Sequence, residues 1–431
     1  MLMSDKLNVP FVQDADLNGK VVLVRVDHNV VKKGGIKDPY RIDSTIGTLM
    51  NIYAKGGRPI LMSHVGRPKD KKTGEITLGK DTSVQPVVEY LQNKLDLNIH
   101  VPEFKEDKGK GYTELDGSIT DKVQELKSGN IDAIYLPNTR WFYGEESKGE
   151  ASDKLARQMA GLADVFVNDA FGSWQAHTST VGINKHLPSY AGLLMQKELQ
   201  NLQRIFNPDK PFVSVVAGAK FDTKSDSLHS LLKKSDYLVM GGVIYNAYLC
   251  AKYDISIEGV SEDDIKVAKQ FIEDAGSGKD KILEMPYIIE SDTMEGKFEG
   301  KYREHDVRQL QPGTKLNYVL DVSEKSFREE QVQKAFKDAK TIFTNAVMGL
   351  TPHFAEGTIA LDQLIDSNKD AMKLFGGGDT NQELKSLLPG VYMKAVDDPA
   401  YYLFTGGGAV LKAIQEGTTE GLEPIKALIN Q

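Results

Sequence analysis

Three consecutive glycines, Gly376 to Gly378, limit the fold of this chain more than any other feature. The apolar residues 372–375 before them predict a buried strand, and the amphipathic residues 381–388 after them predict a helix. Thr380 and Glu383 have the spacing of a capping box, which would start this helix at Thr380. A strand, a tight turn and a helix in this order form the repeating unit of parallel α/β sheets.

The same glycine turn has the features of an anion site. Glycines let the backbone approach a ligand closely, and the N–H groups at a helix N-terminus attract negative charge. Asp379 adds a carboxylate, which suits Mg²⁺ carried on nucleotide phosphates. An ordinary strand-to-helix turn would explain this segment about equally well. Because Gly406, Gly407 and Gly408 repeat the arrangement after another apolar run, phosphate binding is the favoured interpretation.

Length, charge and cysteine content exclude several classes of protein. With 431 residues the chain is too long for one compact core, so two domains are expected. A net charge of −8 gives no sign of affinity for nucleic acid or for an anionic membrane surface. The single cysteine excludes an internal disulfide framework, and no apolar run reaches the length of a membrane span. These features predict a cytoplasmic globular protein with neither nucleic acid nor membrane as partner.

Apolar runs alternate with amphipathic segments along most of the chain. Residues 21–26 are almost all β-branched, as is typical of a strand covered on both faces of a parallel sheet. Further strands are predicted at 58–62, 131–136, 164–167, 212–216, 237–240, 317–320, 341–344, 372–375 and 401–404. This alternation predicts an α/β fold with a doubly wound parallel sheet in each half.

A long helix, predicted at 193–206 after a loop at 187–192, separates the two halves. We therefore place a first domain at 1–190, an interdomain hinge helix at 191–207 and a second domain at 208–421. Unusual residues follow the predicted strands in both domains, where open parallel sheets bind their ligands.

The two sets of strand-end residues differ in their chemistry. The first domain has the basic residues Arg25, Arg41, His64, Arg67 and Arg140, together with Asp27 and Asn29. Guanidinium groups match phosphate and carboxylate oxygens, so a small, strongly anionic ligand is predicted. A surface ion pair would explain any one arginine, but five basic groups are harder to explain in this way. The second domain has glycines with Lys220, Lys224, Asn345 and Asp379, which indicate a Mg-nucleotide site. The two sites on either side of a hinge predict a phosphotransferase.

In these motifs the chain resembles phosphoglycerate kinases over nearly its whole length, as a divergent member. The motifs that carry the resemblance are RVDHN at 25–29, Arg41-Ile42, SHVGRP at 63–68, Arg140, VNDAFG at 167–172, LLMQKEL at 193–199, GAK at 218–220, Lys224, Asn345 with Met348-Gly349, GGGDT at 376–380 and TGGG at 405–408. The resemblance implies two Rossmann-like domains and a C-terminal segment, 422–431, that packs back on the first domain. It implies a monomer that moves a phosphoryl group between 1,3-bisphosphoglycerate and ADP, giving 3-phosphoglycerate and ATP, in glycolysis.

The resemblance also implies the roles of individual residues. The acceptor carboxylate has a pKa of about 4, so the reaction needs charge neutralisation and alignment rather than a general base. Catalysis is assigned to Arg41, Lys220 and Gly378. The substrate would be bound by Arg25, Asp27, His28, Asn29, Arg41, His64, Val65, Gly66, Arg67, Arg140 and Gln175. ATP or ADP would be bound by Gly218, Ala219, Lys220, Lys224, Gly242, Asn345, Thr351, Gly376, Gly377, Gly378, Asp379 and Thr380, with Mg²⁺ on Asp379.

Several positions depart from the family pattern, and two of them are predicted binding residues. Gln175 falls near the place of an arginine that grips the substrate phosphate, and the loss of such a contact costs about 1.5–3 kcal/mol of binding. Thr351 falls where the family has a glutamate for the nucleotide ribose. Two alternatives to an active kinase therefore stay open: a weakened relative that binds a nucleotide or a protein, and a kinase for another small carboxylate.

Overall fold

The computed structural model of this chain describes residues 7–430. The first six residues of the predicted first domain and Gln431 of the predicted C-terminal segment lie outside this range. Within it, the chain forms two compact units, one of residues 7–200 with 420–430, the other of Asn201–Thr419. The division falls within the long helix predicted at 193–206. No helix of the described range is both long and apolar enough to cross a membrane.

The first unit contains a parallel sheet covered by helices. Its strands and helices are β1 (Val21–Val26), β2 (Val31–Lys32), β3 (Gly35–Ile36), α1 (Tyr40–Ala54), β4 (Arg58–Met62), α2 (Gln85–Leu95), β5 (Ile99–His100), β6 (Glu106–Asp107), β7 (Gly111–Tyr112), α3 (Ser118–Ser128), β8 (Ala133–Tyr135), α4 (Glu150–Ala160), β9 (Val165–Asp169) and β10 (Ser189–Ala191), followed by α5 (Leu193–Phe206), within which the second unit begins. Six strands pair in parallel in the order β10-β9-β1-β4-β8-β5. Every residue of β1 is buried, as expected for a strand covered on both faces.

The second unit repeats this architecture with a smaller sheet. Its strands and helices are β11 (Phe212–Gly218), α6 (Ser225–Lys234), β12 (Tyr237–Gly241), α7 (Gly242–Tyr253), β13 (Ser256–Ile257), α8 (Glu262–Ala275), β14 (Tyr287–Ser291), β15 (Tyr302–Asp306), β16 (Lys315–Leu316), β17 (Tyr318–Val322), α9 (Glu330–Asp338), β18 (Thr341–Asn345), α10 (Glu356–Ser367), β19 (Met372–Gly376), α11 (Gly378–Leu387), α12 (Pro389–Asp397), β20 (Tyr401–Phe404) and α13 (Gly407–Glu416). Five strands pair in parallel in the order β12-β11-β18-β19-β20. A last helix, α14 (Glu423–Ile429), contacts β10 of the first unit.

The predicted α/β fold with two parallel sheets is confirmed. The predicted strands lie within two residues of the observed ones, but the segment predicted at 317–320 belongs to a different sheet. This segment is β17, which forms a separate antiparallel sheet in the order β15-β14-β17. The polar residues of β15 concealed that strand in the sequence, and β14 has only the short apolar run 287–289 before Glu290 and Ser291. In the structure Arg303 donates two hydrogen bonds to the buried carboxylate of Glu290, so these polar residues are the ones that join the strands.

Candidate functional site

The carboxyl edge of the first sheet places a carboxylate against an arginine. Asp27 follows β1, and its Oδ2 lies 3.4 Å from Nη1 of Arg41, the second residue of α1. The other carboxylate oxygen, Oδ1, is buried and has no hydrogen-bond partner among the described residues. The side chain of Arg41 keeps 24% of its surface exposed. The pair therefore presents both a free acceptor and an accessible cation at the edge of the sheet.

The turn after β4 is held in place by side chains from neighbouring strand ends. Asn29 Oδ1 accepts the Gly66 N–H at 2.8 Å, and Arg140 Nη1 donates to the Gly66 carbonyl at 2.7 Å. Asn138 binds both backbone groups of Val65, which is buried. Both backbone groups of Val65 are thus used within the protein, and its contact with a ligand stays a prediction. Arg67, the next residue but one, is exposed on this fixed turn.

Arg25 is buried, and its predicted contact with the substrate stays a prediction. It lies inside β1 rather than beyond it and keeps only 1% of its surface exposed. Its Nε donates to Ser179 Oγ at 2.8 Å, and its Nη2 lies 3.1 Å from His64 Nδ1. Burial lowers the pKa of Arg25, and the nearby Glu145 opposes this effect. Arg25 is therefore part of a buried ionic network beneath the edge.

The histidines of this edge are held neutral. His64 is half-buried, and its pKa lies well below 6.5, first because of burial and then because of the nearby Arg25 and Arg140. His28, which was predicted as a ligand contact, is fully buried with both ring nitrogens bonded to protein groups, and a direct contact with a ligand stays a prediction. His177, which the sequence analysis did not select, lies close enough to His64 to lower its pKa. Its only sequence signal is its position two residues after Gln175.

Gln175 is exposed in the loop that contains His177. Its backbone carbonyl accepts bonds from the Thr180 hydroxyl at 2.7 Å and from the His177 N–H at 3.0 Å. These bonds involve only the backbone of Gln175, so its side chain can be substituted without losing them. The structure thus gives Gln175 an accessible neutral amide in the loop after β9.

In the second unit, a lysine, an asparagine and the glycine turn are joined by hydrogen bonds. Lys224 Nζ donates to Asn345 Oδ1 at 2.9 Å, and Asn345 Nδ2 donates to the carbonyl of Gly376. Burial lowers the pKa of Lys224 to about 8, while Asp379 acts in the opposite direction. The structure therefore brings together four residues that the sequence predicted: Lys224, Asn345, Gly376 and Asp379.

The two glycine turns meet because β19 and β20 are adjacent strands. A Cβ atom on Gly377 would lie 2.5 Å from the Cα of Gly407, and Gly377 has a φ of +110°. The backbones touch at a distance that only glycine permits. The predicted capping box is wrong: α11 begins at Gly378, two residues before Thr380, and no side chain caps it. This leaves Asp379 exposed in the first turn of the helix.

The remaining predicted nucleotide residues occupy the neighbouring strand ends. Ala219 and Lys220 are exposed directly after β11. Gly242, with a φ of +62°, pairs with Gly218, and a Cβ at Gly242 would lie 3.0 Å from the Gly218 carbonyl oxygen. Thr351 donates its N–H to Gly349 and has no bond to the Lys224 group among the described contacts.

The oxygen ligands at this edge suit a cation that arrives with an anionic ligand. In the part of the chain that the structure describes, no cluster of three or more histidine, cysteine or acidic side chains could hold a metal. Asp379 alone offers one exposed carboxylate beside the glycine turn. Mg²⁺ is commonly bound by one or two carboxylates together with substrate phosphates and water, so this donor set fits a phosphate-borne Mg²⁺.

Comparisons with known proteins agree on one family. A family model described as phosphoglycerate kinase matches residues 12–417. The phosphoglycerate kinase of Limosilactobacillus reuteri is 33% identical over an alignment of 429 positions, which covers 96% of this chain and 98% of the relative. That of Roseiflexus sp. is 35% identical over 411 residues, covering 94% and 95%. The structure of phosphoglycerate kinase from Coxiella burnetii matches with a TM-score of 0.74 at 27% identity, covering 98% of this chain and 99% of its own. That from Pyrococcus horikoshii matches in fold with a TM-score of 0.77 at 22% identity, covering 97% and 98%.

The contact between the glycine turns predicts a strong effect of a single methyl group. Gly377→Ala should lower the free energy of unfolding by about 2–4 kcal/mol, because it adds both left-handed strain and a clash with Gly407. Chemical denaturation measures this change. The matched control is Gly390→Ala in α12, where a Cβ meets nothing within 4 Å. A Gly377→Ala variant as stable as the control variant would contradict the observed contact.

The position of Lys224 predicts a pH-dependent affinity for ADP. Lys224 loses its charge as the pH rises through about 8, so the affinity should fall between pH 7 and pH 9. Arginine stays charged in this range, so Lys224→Arg should remove the dependence, and Lys224→Met should bind weakly at every pH. Isothermal titration calorimetry at several pH values distinguishes these profiles. If the affinity of Lys224→Arg for ADP fell with pH as steeply as that of the wild type, another group would be responsible for the dependence.

Proposed function

Because this chain belongs to the phosphoglycerate kinase family, it is a phosphotransferase with a carboxyl acceptor, and we propose that the two sheet edges described above carry its reaction. The reaction moves a phosphoryl group reversibly between 1,3-bisphosphoglycerate and ADP, giving 3-phosphoglycerate and ATP, as a step of glycolysis. One observation supports the assignment of the nucleotide to the second edge. Hydrogen bonds join the cation Lys224 and the amide of Asn345 to the glycine turn, and such a group suits a phosphate ligand.

We assign 3-phosphoglycerate to the edge of the first sheet. Arg41 and Asp27 offer a cation and a free carboxylate oxygen to the glycerate end of the substrate, and Asn29 holds the turn beside them. The exposed Arg67 and the partly exposed Arg140 offer guanidinium groups to the non-reacting phosphate. We assign His64, Gly66 and Gln175 to the same phosphate as further polar groups of this edge. Arg25, His28 and Val65 support this edge from within.

We assign nucleotide binding and the catalytic residues Lys220 and Gly378 to the edge of the second sheet. The acceptor carboxylate is ionised at neutral pH, so the protein has to neutralise charge rather than remove a proton. Lys220 is the exposed cation after β11, and the free N–H of Gly378 opens α11, so both suit the moving phosphoryl group. Asp379 would hold Mg²⁺, which supplies positive charge to the nucleotide phosphates.

The finer expectations remain proposals. We propose that Arg41 acts on the transferring group together with Lys220, and that α5 serves as a hinge when both ligands bind. We also propose that the protein acts in the cytoplasm as a monomer, with these small molecules as its partners and neither nucleic acid nor membrane. Nothing in the fold or the comparisons favours a weakened relative or a kinase for another carboxylate.

A coupled assay with 3-phosphoglycerate and Mg-ATP tests the function. The wild type should turn over at about 1–100 s⁻¹, the range typical of kinases. Lys220→Ala should lower kcat by about 10²-fold or more, because it removes a charge placed at the transferring group. The control Lys233→Ala removes an exposed lysine of α6 in the same unit and should leave kcat unchanged. A wild type without turnover would reject the function, and an equal effect of both variants would reject the role of Lys220.

Gln175 predicts a gain of affinity on substitution. Gln175→Arg should lower the KM for 3-phosphoglycerate by up to about tenfold, since a charged hydrogen bond contributes about 1.5 kcal/mol or more. The KM for Mg-ATP should stay constant. Gln124→Arg, which adds the same charge on an exposed position of α3, is the control. An unchanged KM would mean that another cation already occupies this position.

A further inference from the structure

His28 is the centre of a buried hydrogen-bonded network that joins four parts of the first unit. Its side chain bridges the Tyr135 hydroxyl, 3.0 Å from Nδ1, and the Thr45 hydroxyl, 2.9 Å from Nε2. Its backbone N–H donates to Ser63 Oγ at 2.9 Å. All four of these residues are fully buried. One residue at the end of β1 thus contacts β8, the end of β4 and helix α1.

The direction of these bonds follows from their partners. The Thr45 hydroxyl donates to the Ile42 carbonyl at 2.8 Å, so its oxygen is the acceptor for the His28 Nε2–H. His28 Nδ1 therefore accepts the hydrogen of the Tyr135 hydroxyl. A neutral imidazole with its proton on Nε2 satisfies every group. Burial lowers the pKa of His28 to about 3, which agrees with a ring that stays neutral and transfers no proton.

Arg41 and Thr45 lie four residues apart and therefore on the same face of α1. Arg41 pairs with Asp27, and Thr45 is bonded to His28, the next residue along the chain. Two parallel links thus connect one face of the helix to two consecutive residues of the strand end. At the start of α1 the Tyr40 N–H is bonded by the half-exposed Asp38 at 3.1 Å, whereas the Thr45 link to His28 is fully buried and lies one turn from Arg41.

We propose that His28 is a positioning residue for the phosphotransfer site: by holding Thr45, it aims the guanidinium of Arg41 at the substrate. This inference rests on the proposed role of Arg41 in binding 3-phosphoglycerate. It replaces the direct contact that the sequence suggested with an indirect one. His28 touches no reacting atom, and its effect reaches the substrate only through α1.

Variants that keep one arm of the imidazole at a time test this proposal. Gln places its amide near the position of Nε2 and can still reach Thr45, whereas Asn reaches only the Nδ1 side, and Phe reaches neither. His28→Phe and His28→Asn should raise the Kd for 3-phosphoglycerate about five- to tenfold, as expected from one hydrogen bond. His28→Gln should stay within about twofold of the wild type. The Kd for ADP should not change in any of them.

The matched control removes a hydrogen bond at the other end of the same helix. Tyr53 donates its hydroxyl to the Asp132 carbonyl at 3.1 Å, so Tyr53→Phe should lower the melting temperature without changing the Kd for 3-phosphoglycerate. Melting curves for all variants confirm that the proteins titrated are folded. If His28→Phe does not fold, the comparison of His28→Gln with His28→Asn carries the test alone. Equal Kd values for those two variants would overturn the proposal.

A double-mutant cycle with Arg41→Ala shows whether the effect passes through Arg41. On that background His28→Phe should no longer change the Kd for 3-phosphoglycerate. If His28→Phe raised the Kd for 3-phosphoglycerate by the same factor with and without Arg41, the proposal would be overturned while the proposed site would stay intact. An Arg41→Ala variant that binds 3-phosphoglycerate as tightly as the wild type would instead reject the site itself.

Discussion

Parallel pairing of strands is the constraint on which the rest of this structure depends. Each parallel ladder places the carboxyl ends of its strands at one edge, so residues far apart in the sequence become neighbours there. In the first unit, Asn29, the turn at Gly66 and Asn138 follow β1, β4 and β8 and are joined by hydrogen bonds. In the second, the adjacency of β19 and β20 brings two glycine turns into contact. The residues that meet at both edges are therefore determined by which strands are paired and in which register.

The two edges solve different electrostatic problems. The first gathers cations, and several of its groups are removed from solvent: Arg25 is buried, and the pKa of His64 is lowered first by burial and then by the nearby guanidinium groups, so that its ring stays neutral. The second keeps its cation Lys224 partly buried next to an amide and a glycine turn, which lowers its pKa. Burial is therefore used in one unit to support exposed arginines from below and in the other to tune a single lysine.

The sequence predicted the parts of the fold that rest on hydrophobic runs. Strands such as β1 and β4 appear at their predicted bounds because every residue that forms them, apart from Arg25 and Arg58, is apolar. It missed the short strand β14 and the polar strand β15, which Arg303 links through its hydrogen bond to Glu290. The sequence identified which residues lie at the strand ends, but it did not show which way their side chains point. Arg25 and His28 stand beside Asp27 in sequence, yet their side chains turn inward, and only packing determines that.

The return of α14 to the first unit has a consequence for synthesis on the ribosome. Residues 420–430 complete a unit whose other residues precede position 201, so all of Asn201–Thr419 must be translated in between. At about 5–20 residues per second this interval lasts roughly 10–40 s. Throughout it the nascent first unit lacks the helix that contacts β10, and the apolar surface awaiting Ile425 and Leu428 is open to chaperones.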